Sequence, residues 1–263
     1  ERAQAASSPG SETWQQAPFG KAVCLQQLSP ALPGNIDQAA ALYKELVATS
    51  PDSRFAPRAT MNLGRIEELS DYYQDKVDLD AARQWYQQVI ERWPSQEIAG
   101  EATLRVASTH IQTMDPPQIR QGVKVLEDWL KARPNDPLAS AMWQYAGETY
   151  THLGEPELAI EALIKADELG LMEVGREGPV YWRIAALSDR TMQEARAAGH
   201  AGKADRYREL AVRYYTKIIE KAATSGKAYQ AQLRLAEMGA PVPEIRHWST
   251  KTQSAPSPRK ETP

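Results

Sequence analysis

The sequence predicts an all-α chain built from stacked helical hairpins, and three observations carry that expectation. Alanine supplies 39 of the 263 residues and phenylalanine only 2. That balance favours helices packed through small side chains over a strand-rich core. A spacing of small, large and apolar residues recurs five times. A stop follows each recurrence at a fixed distance, and three of the five stops are prolines.

The recurrences run in order along the chain. Ala39, Tyr43 and Leu46 precede Pro51; Ala82, Tyr86 and Val89 precede Pro94; Gly122, Leu126 and Trp129 precede Pro134. Ala159, Leu163 and Ala166 precede Leu171, and Ala211, Tyr215 and Ile218 precede Ala223. These offsets place the three side chains on one face of a helix. A second pattern follows the stops. Ala56 and Ala59 lead to Leu63-Gly64, Ala99 and Ala102 to Val106-Ala107, and Ala139 to Ala146-Gly147, each pair starting 12 residues after its proline. Leu235-Ala236 lies at the same distance from Ala223 and predicts a final capping helix.

Such a pattern describes two helices in close contact. Gly64, Ala107 and Gly147 admit a partner helix, and Ala39, Ala82 and Ala159 do so from the other side. Tyr43, Tyr86 and Leu163 are expected to fill the space toward the next hairpin. One hairpin cannot bury both of its faces, so several must stack. Where the stop is proline it ends the second helix, because it lacks the N–H and restricts its predecessor. Asn35, Asp78, Asp115 and Asp136-Pro137 are expected at helix starts, and Gly154-Glu155-Pro156 marks a turn and restart. The sum is about eleven helices and no sheet. The last hairpin is expected over about Pro179–Ala198 and Lys203–Ala223, with Arg183-Ile184 in place of its small pair.

The run Trp143-x2-Ala146-Gly147-x2-Tyr150-x3-Gly154-x4-Ala159-x3-Leu163-x2-Ala166 resembles the tetratricopeptide repeat. Ala146 stands where that family has Leu, and Leu163 where it has an aromatic. Five such repeats in register, from Phe19 to Ala223, imply a right-handed α-α superhelix. Successive stops lie 43, 40, 37 and 52 residues apart, against about 34 in the family. Three extra residues per repeat sit in the link between hairpins. The longer link resembles the bacterial envelope branch, seen in outer-membrane assembly lipoproteins and Tol-Pal accessory proteins. Further insertions fall around Ser70–Asp75 and Thr113–Pro117.

Expected domains are a disordered linker over residues 1–13, the solenoid over 14–248 and a disordered tail over 249–263. The start at Glu1 rather than Met suggests a processed or truncated product. Charged residues are 25% and the net charge is -3, so neither a basic nucleic-acid binder nor an acidic disordered chain is expected. No apolar run is long enough for a transmembrane segment. A single cysteine, Cys24, excludes an intrachain disulfide and a multi-cysteine metal cluster, and it reads as a small packing residue.

The resemblance places the first helix of each repeat on a concave groove. It implies groove positions at Arg58, Met61, Arg65 and Glu68; at Glu101, Leu104, Ser108 and Gln112; at Gln144, Glu148 and His152; and at Tyr181. Met61, Arg65 and Gln144 replace the Lys and Asn types that chaperone-binding members use to hold a terminal carboxylate, so that clamp is not expected. Arg58 and Arg65 remain able to pair with an acidic partner. No catalytic residue, metal ligand or cofactor site is expected. The four histidines show no ligand spacing, and His110 reads as a packing histidine. Gly199-His200-Ala201-Gly202-Lys203 reads as a helix-to-helix turn, lacking the phosphate-loop spacing. The tryptophans, including Trp85, Trp93, Trp129 and Trp143, read mainly as packing groups, with Trp85 able to face outward. The function expected is a non-catalytic scaffold that binds a protein or peptide in an envelope or membrane-associated assembly. The alternatives are a helical-repeat RNA-binding protein, an accessory subunit of an enzyme complex, and an enzyme drawing on Glu101, Glu148 and His152.

Overall fold

The structure is a computed structural model that describes residues 7–8, 10–28, 32–68, 77–170, 177–224 and 226–244. The insertion around Ser70–Asp75, the first six residues and the expected tail lie outside them. Eleven helices are present and no strand occurs among the described residues, as the sequence predicts. They are α1 (Glu12–Gln27), α2 (Pro33–Thr49), α3 (Ala56–Glu68), α4 (Leu79–Arg92), α5 (Glu97–Ile111), α6 (Pro116–Ala132), α7 (Ala139–His152), α8 (Pro156–Glu168), α9 (Glu177–Ala197), α10 (Ala201–Lys221) and α11 (Lys227–Glu237). The chain divides into two compact units, Glu1–Gly170 and Leu171–Pro263.

In the first unit, successive hairpins share their cores. One apolar cluster joins Ala22 of α1, Ala39, Tyr43 and Leu46 of α2, and Ala59 and Leu63 of α3. The next joins Met61 of α3, Ala82, Tyr86 and Val89 of α4, and Ala102 and Val106 of α5. A third joins Ala99 and Ala107 of α5, Val123, Leu126, Trp129 and Leu130 of α6, Ala139, Met142 and Ala146 of α7, and Ala162 of α8. Helices α2, α4 and α6 are thus each buried between two first helices. No hairpin has a core of its own, which is why the repeat must stack.

The small residues are contact points. A Cβ on Gly64 would lie 2.4 Å from the Tyr86 ring, and one on Gly147 would lie 2.6 Å from Leu163. A Cβ on Gly122 would lie 2.7 Å from the Ala107 carbonyl oxygen. Tyr86 and Leu163 therefore press on the first helix of their own hairpin, and Tyr86 also packs toward α5 of the next. Trp129 is buried, and Trp85, Trp93 and Trp143 pack partly buried against the clusters.

Helix starts follow the expected chemistry in part. Asp78 accepts from the Ala81 amide at 2.8 Å and caps α4. Asp136 accepts from the Leu138 amide at 2.8 Å and from the Trp129 indole at 2.9 Å, two residues before the cap of α7. Asp115 precedes α6 without a side-chain capping bond. Asn35 lies inside α2, which starts at Pro33, because the proline serves as the first-turn residue instead. Cys24 is exposed rather than packed, since α1 turns that position to solvent and buries Ala22.

The α5–α6 turn carries Met114 in the left-handed region, with φ 58 and 78% exposure. The α7–α8 turn uses Gly154 there, at φ 73. A side chain costs free energy in that conformation and Met114 recovers none through packing. Met114→Gly is expected to stabilise the first unit by about 1 kcal/mol, despite the greater freedom of an unfolded glycine. Urea denaturation checks this, and equal or lower stability would contradict it.

In the second unit, α9 and α10 form a longer hairpin and α11 packs against both. Tyr207, Ala211, Tyr214, Tyr215 and Ile218 of α10 are buried, as are Ile184, Ala185, Leu187 and Met192 of α9. The helix bounds fall within two residues of those expected from the sequence. Gly199 to Lys203 forms the α9–α10 turn and the start of α10. Asp189, 4% exposed, accepts from Tyr215 Oη at 3.3 Å and from Arg234 Nε at 2.9 Å. One carboxylate therefore ties together all three helices of the unit.

Candidate functional site

The first helices α3, α5 and α7 carry most of the expected groove positions. Those on α3 and α5 are joined by charge. Arg58 Nη1 donates to both oxygens of Glu101, at 3.0 and 2.8 Å. Gln112 Nε2 donates to Glu68 Oε1 at 2.7 Å and to Ser108 Oγ at 3.1 Å. Arg105 Nη1 lies 3.6 Å from Glu68 Oε2. Tyr86 Oη on α4 donates to that same oxygen at 2.6 Å. The pairs on this face therefore hold one repeat to the next.

Three of the expected positions offer no open surface. Met61 is fully buried, because α4 and α5 close over it through Ala82, Ala102 and Val106. Glu68 is 4% exposed at the centre of the network just described, and Tyr181 is 4% exposed in the second unit. There Tyr181 stands 6.1 Å from the Tyr214 ring, with the Lys217 amine 4.4 Å over its face. Arg58, Gln112 and His152 are exposed, whereas Arg65, Glu101, Leu104, Ser108, Gln144 and Glu148 are half-buried. Gln144 donates weakly to Glu148, at 3.4 Å. Arg105 also belongs to this face and is not among the positions expected from the repeat pattern. Its separation of seven residues from Gln112, one helical face, was the available signal.

The electrostatics follow from burial. Tyr43 Oη accepts from Asn62 Nδ2 at 2.9 Å and donates to Gln26 Oε1 at 3.0 Å. Burial pushes its pKa up to about 12, against the lowering effects of the Asn62 bond and the Arg65 charge. Tyr86 is raised further, by burial first and then by the carboxylate it donates to. Both hydroxyls stay protonated and act as fixed hydrogen-bond donors.

His110 packs at the end of α5, with Nδ1 2.7 Å from Gln118 Oε1. Burial lowers its pKa from the ordinary 6.5, with Arg83 acting in the same direction and the Gln118 bond and Asp80 opposing. The folded state thus binds fewer protons than the unfolded state below about pH 6.5. Stability contributed by neutral His110 is present above that pH and is lost as pH falls toward its folded pKa. NMR titration of His110 is expected to give a midpoint below that of the urea-unfolded chain; an equal or higher midpoint would contradict this.

A separate cleft of about 360 Å³ lies between the α4–α5 and α6–α7 links. Its lining includes Pro94, Glu97, Trp129, Arg133 and Asp136. Arg133 stacks 3.9 Å over the Trp129 ring and reaches the Pro94 carbonyl at 3.4 Å. These contacts knit the two links together. Among the described residues, no group of three or more His, Cys, Asp or Glu side chains is placed to hold a metal ion. Glu101 is engaged by Arg58, and Glu148 by Gln144. No described helix is long and apolar enough to cross a membrane.

Comparison with known proteins places the chain as follows. No curated protein matches it. MamA from Desulfovibrio magneticus shares 19% identity, with a TM-score of 0.47, over 77% of this chain and 98% of that one. A thermophilic TPR protein from Thermus thermophilus shares 19% identity, with a TM-score of 0.42, over 85% of this chain and 98% of that one. PilW, described as a type IV pilus biogenesis factor, shares 14% identity, with a TM-score of 0.42, over 85% and 93%. Within the chain, residues 34–97, which run from α2 through α4 to the start of α5, match the tetratricopeptide repeat family.

Proposed function

We propose that the chain is a non-catalytic scaffold that binds a protein partner, as an extended segment or a helix, on the first-helix face of its first unit. The observation that carries this reading is the row formed by Arg58, Glu101, Leu104, Ser108, Gln112, Gln144, Glu148 and His152. It mixes charged, amide and apolar groups at half-buried or exposed positions on successive first helices. Such a face offers apolar contact together with groups that pair with peptide amides and charged side chains. The tetratricopeptide match over residues 34–97 supports the same reading. Its assembly is envelope or membrane-associated, an inference from the lengthened links between hairpins. The pI of about 5.9 weighs against nucleic acid as the partner.

A paired pull-down tests the proposal. Full chain and a Leu104→Arg, His152→Glu variant are compared in extract from the source cells, after circular dichroism shows equal helix content. The variant is expected to lose the proteins retained by the natural chain. Retention of the same proteins by both would contradict the proposed face.

A further inference from the structure

We propose that Arg65 and Arg105 form the subsite that selects an acidic residue in the bound segment; this rests on the reading above and names the partner's chemistry. Two polar chains run through the first unit. One links Gln26 to Tyr43 and Tyr43 to Asn62; the other links Tyr86 to Glu68, and Glu68 to both Gln112 and Arg105. Arg65 lies on α3 between Asn62 and Glu68, and its charge acts on both Tyr43 and Tyr86. Yet Arg65 Nε is buried and has no hydrogen-bond partner among the described residues.

The missing bond has a structural cause. Glu68, three residues on, is the natural local partner for Arg65. Its Oε1 is occupied by Gln112, and its Oε2 by Tyr86 and Arg105. Arg58, one face-repeat earlier, is already neutralised by Glu101. Among the described residues, Glu68 and Glu101 on this face are therefore committed to groups other than Arg65. A buried donor without a partner is costly, and a guanidinium keeps its charge at all working pH values. Arg65 is half-buried, so part of its side chain remains open to an incoming group. Arg105, on the neighbouring helix, is 37% exposed and only loosely paired, at 3.6 Å. Both charges act on Tyr86, so the two cations share one neighbourhood of the α3–α5 face, an arrangement that fits an incoming carboxylate. Tyr86 and Gln112 each donate to one oxygen of Glu68, which leaves both oxygens occupied.

The test selects random dodecapeptides displayed on phage against the full chain, then measures the selected peptides by fluorescence anisotropy. The expected result is enrichment of Asp or Glu at one position. Affinity should fall about tenfold with Arg65→Gln, fall less with Arg65→Lys, and weaken as salt is raised. Arg105→Gln provides a second variant, on a side chain that is 37% exposed, and is expected to weaken binding in the same direction. Selected peptides without an acidic position, or peptides that bind Arg65→Gln and Arg105→Gln within about twofold of the natural chain, would overturn the subsite while leaving the binding face intact. Failure to select any peptide would overturn the binding face and the subsite together.

Discussion

Tyr86→Ala is expected to destabilise the first unit by about 4 kcal/mol, the range for deleting a large buried aromatic side chain. Tyr86 is fully buried in the cluster that joins α3, α4 and α5, so its loss opens a cavity shared by two hairpins. It also removes the donor at 2.6 Å from Glu68. Tyr86→Phe separates the two effects. It keeps the ring against Gly64 and removes only the hydroxyl, and is expected to cost about 2 kcal/mol, as for a hydrogen bond to a charged group. Urea denaturation of the three chains checks both values. A loss for Tyr86→Ala no larger than for Tyr86→Phe would show that the ring contributes little to the stack.

The second large effect falls in the other unit. Arg234→Met is expected to cost about 2–3 kcal/mol, because it leaves the Asp189 carboxylate buried without its cation. The figure is reduced from that of a fully buried pair, since Arg234 is 34% exposed and its second contact, to Glu237, is on the surface. Asp189 retains Tyr215 at 3.3 Å and Gln193 at 2.9 Å, which limits the loss. Pairing the change with Asp189→Leu should recover part of it, as an apolar pair carries no desolvation penalty. Thermal unfolding of the single and double variants reads this directly. Strict additivity would contradict the pair as the source.

The fold was legible because its signal is periodic. Gly64 against Tyr86 and Gly147 against Leu163 are small–large contacts whose members stand at fixed distances from the stops, 13 residues after one and 8 before the next. The capping helix α11 followed from the same offset. The site was legible only in part. Position on a helix wheel indicates the first-helix face, but Met61 and Tyr181 show that a face can be covered by a neighbour. Covering depends on residues of other helices, 21 to 45 positions away for Met61 and 33 to 36 for Tyr181, and no local pattern encodes it. The buried network had the same difficulty. Glu68 meets Tyr86, Arg105 and Gln112 at sequence distances of 18, 37 and 44, which no single spacing rule connects. Arg65 could be named as a charge from the sequence. That its Nε has no hydrogen-bond partner among the described residues could be seen only with the bonds of Glu68 in place. Cys24 failed for a simpler reason, since a small apolar side chain on a first helix carries no mark of which side it faces.

The placement of the partner on the first-helix face is tested most directly by photo-cross-linking from two positions. One chain carries p-benzoylphenylalanine at Leu104, half-buried on α5, and another carries it at Leu158, 44% exposed on the second helix α8. Each is irradiated with a labelled peptide taken from the display selection. Cross-linking at position 104, with little at 158 and suppression by unlabelled peptide, is the predicted result. Equal yields at both positions, or a higher yield at 158, would contradict it.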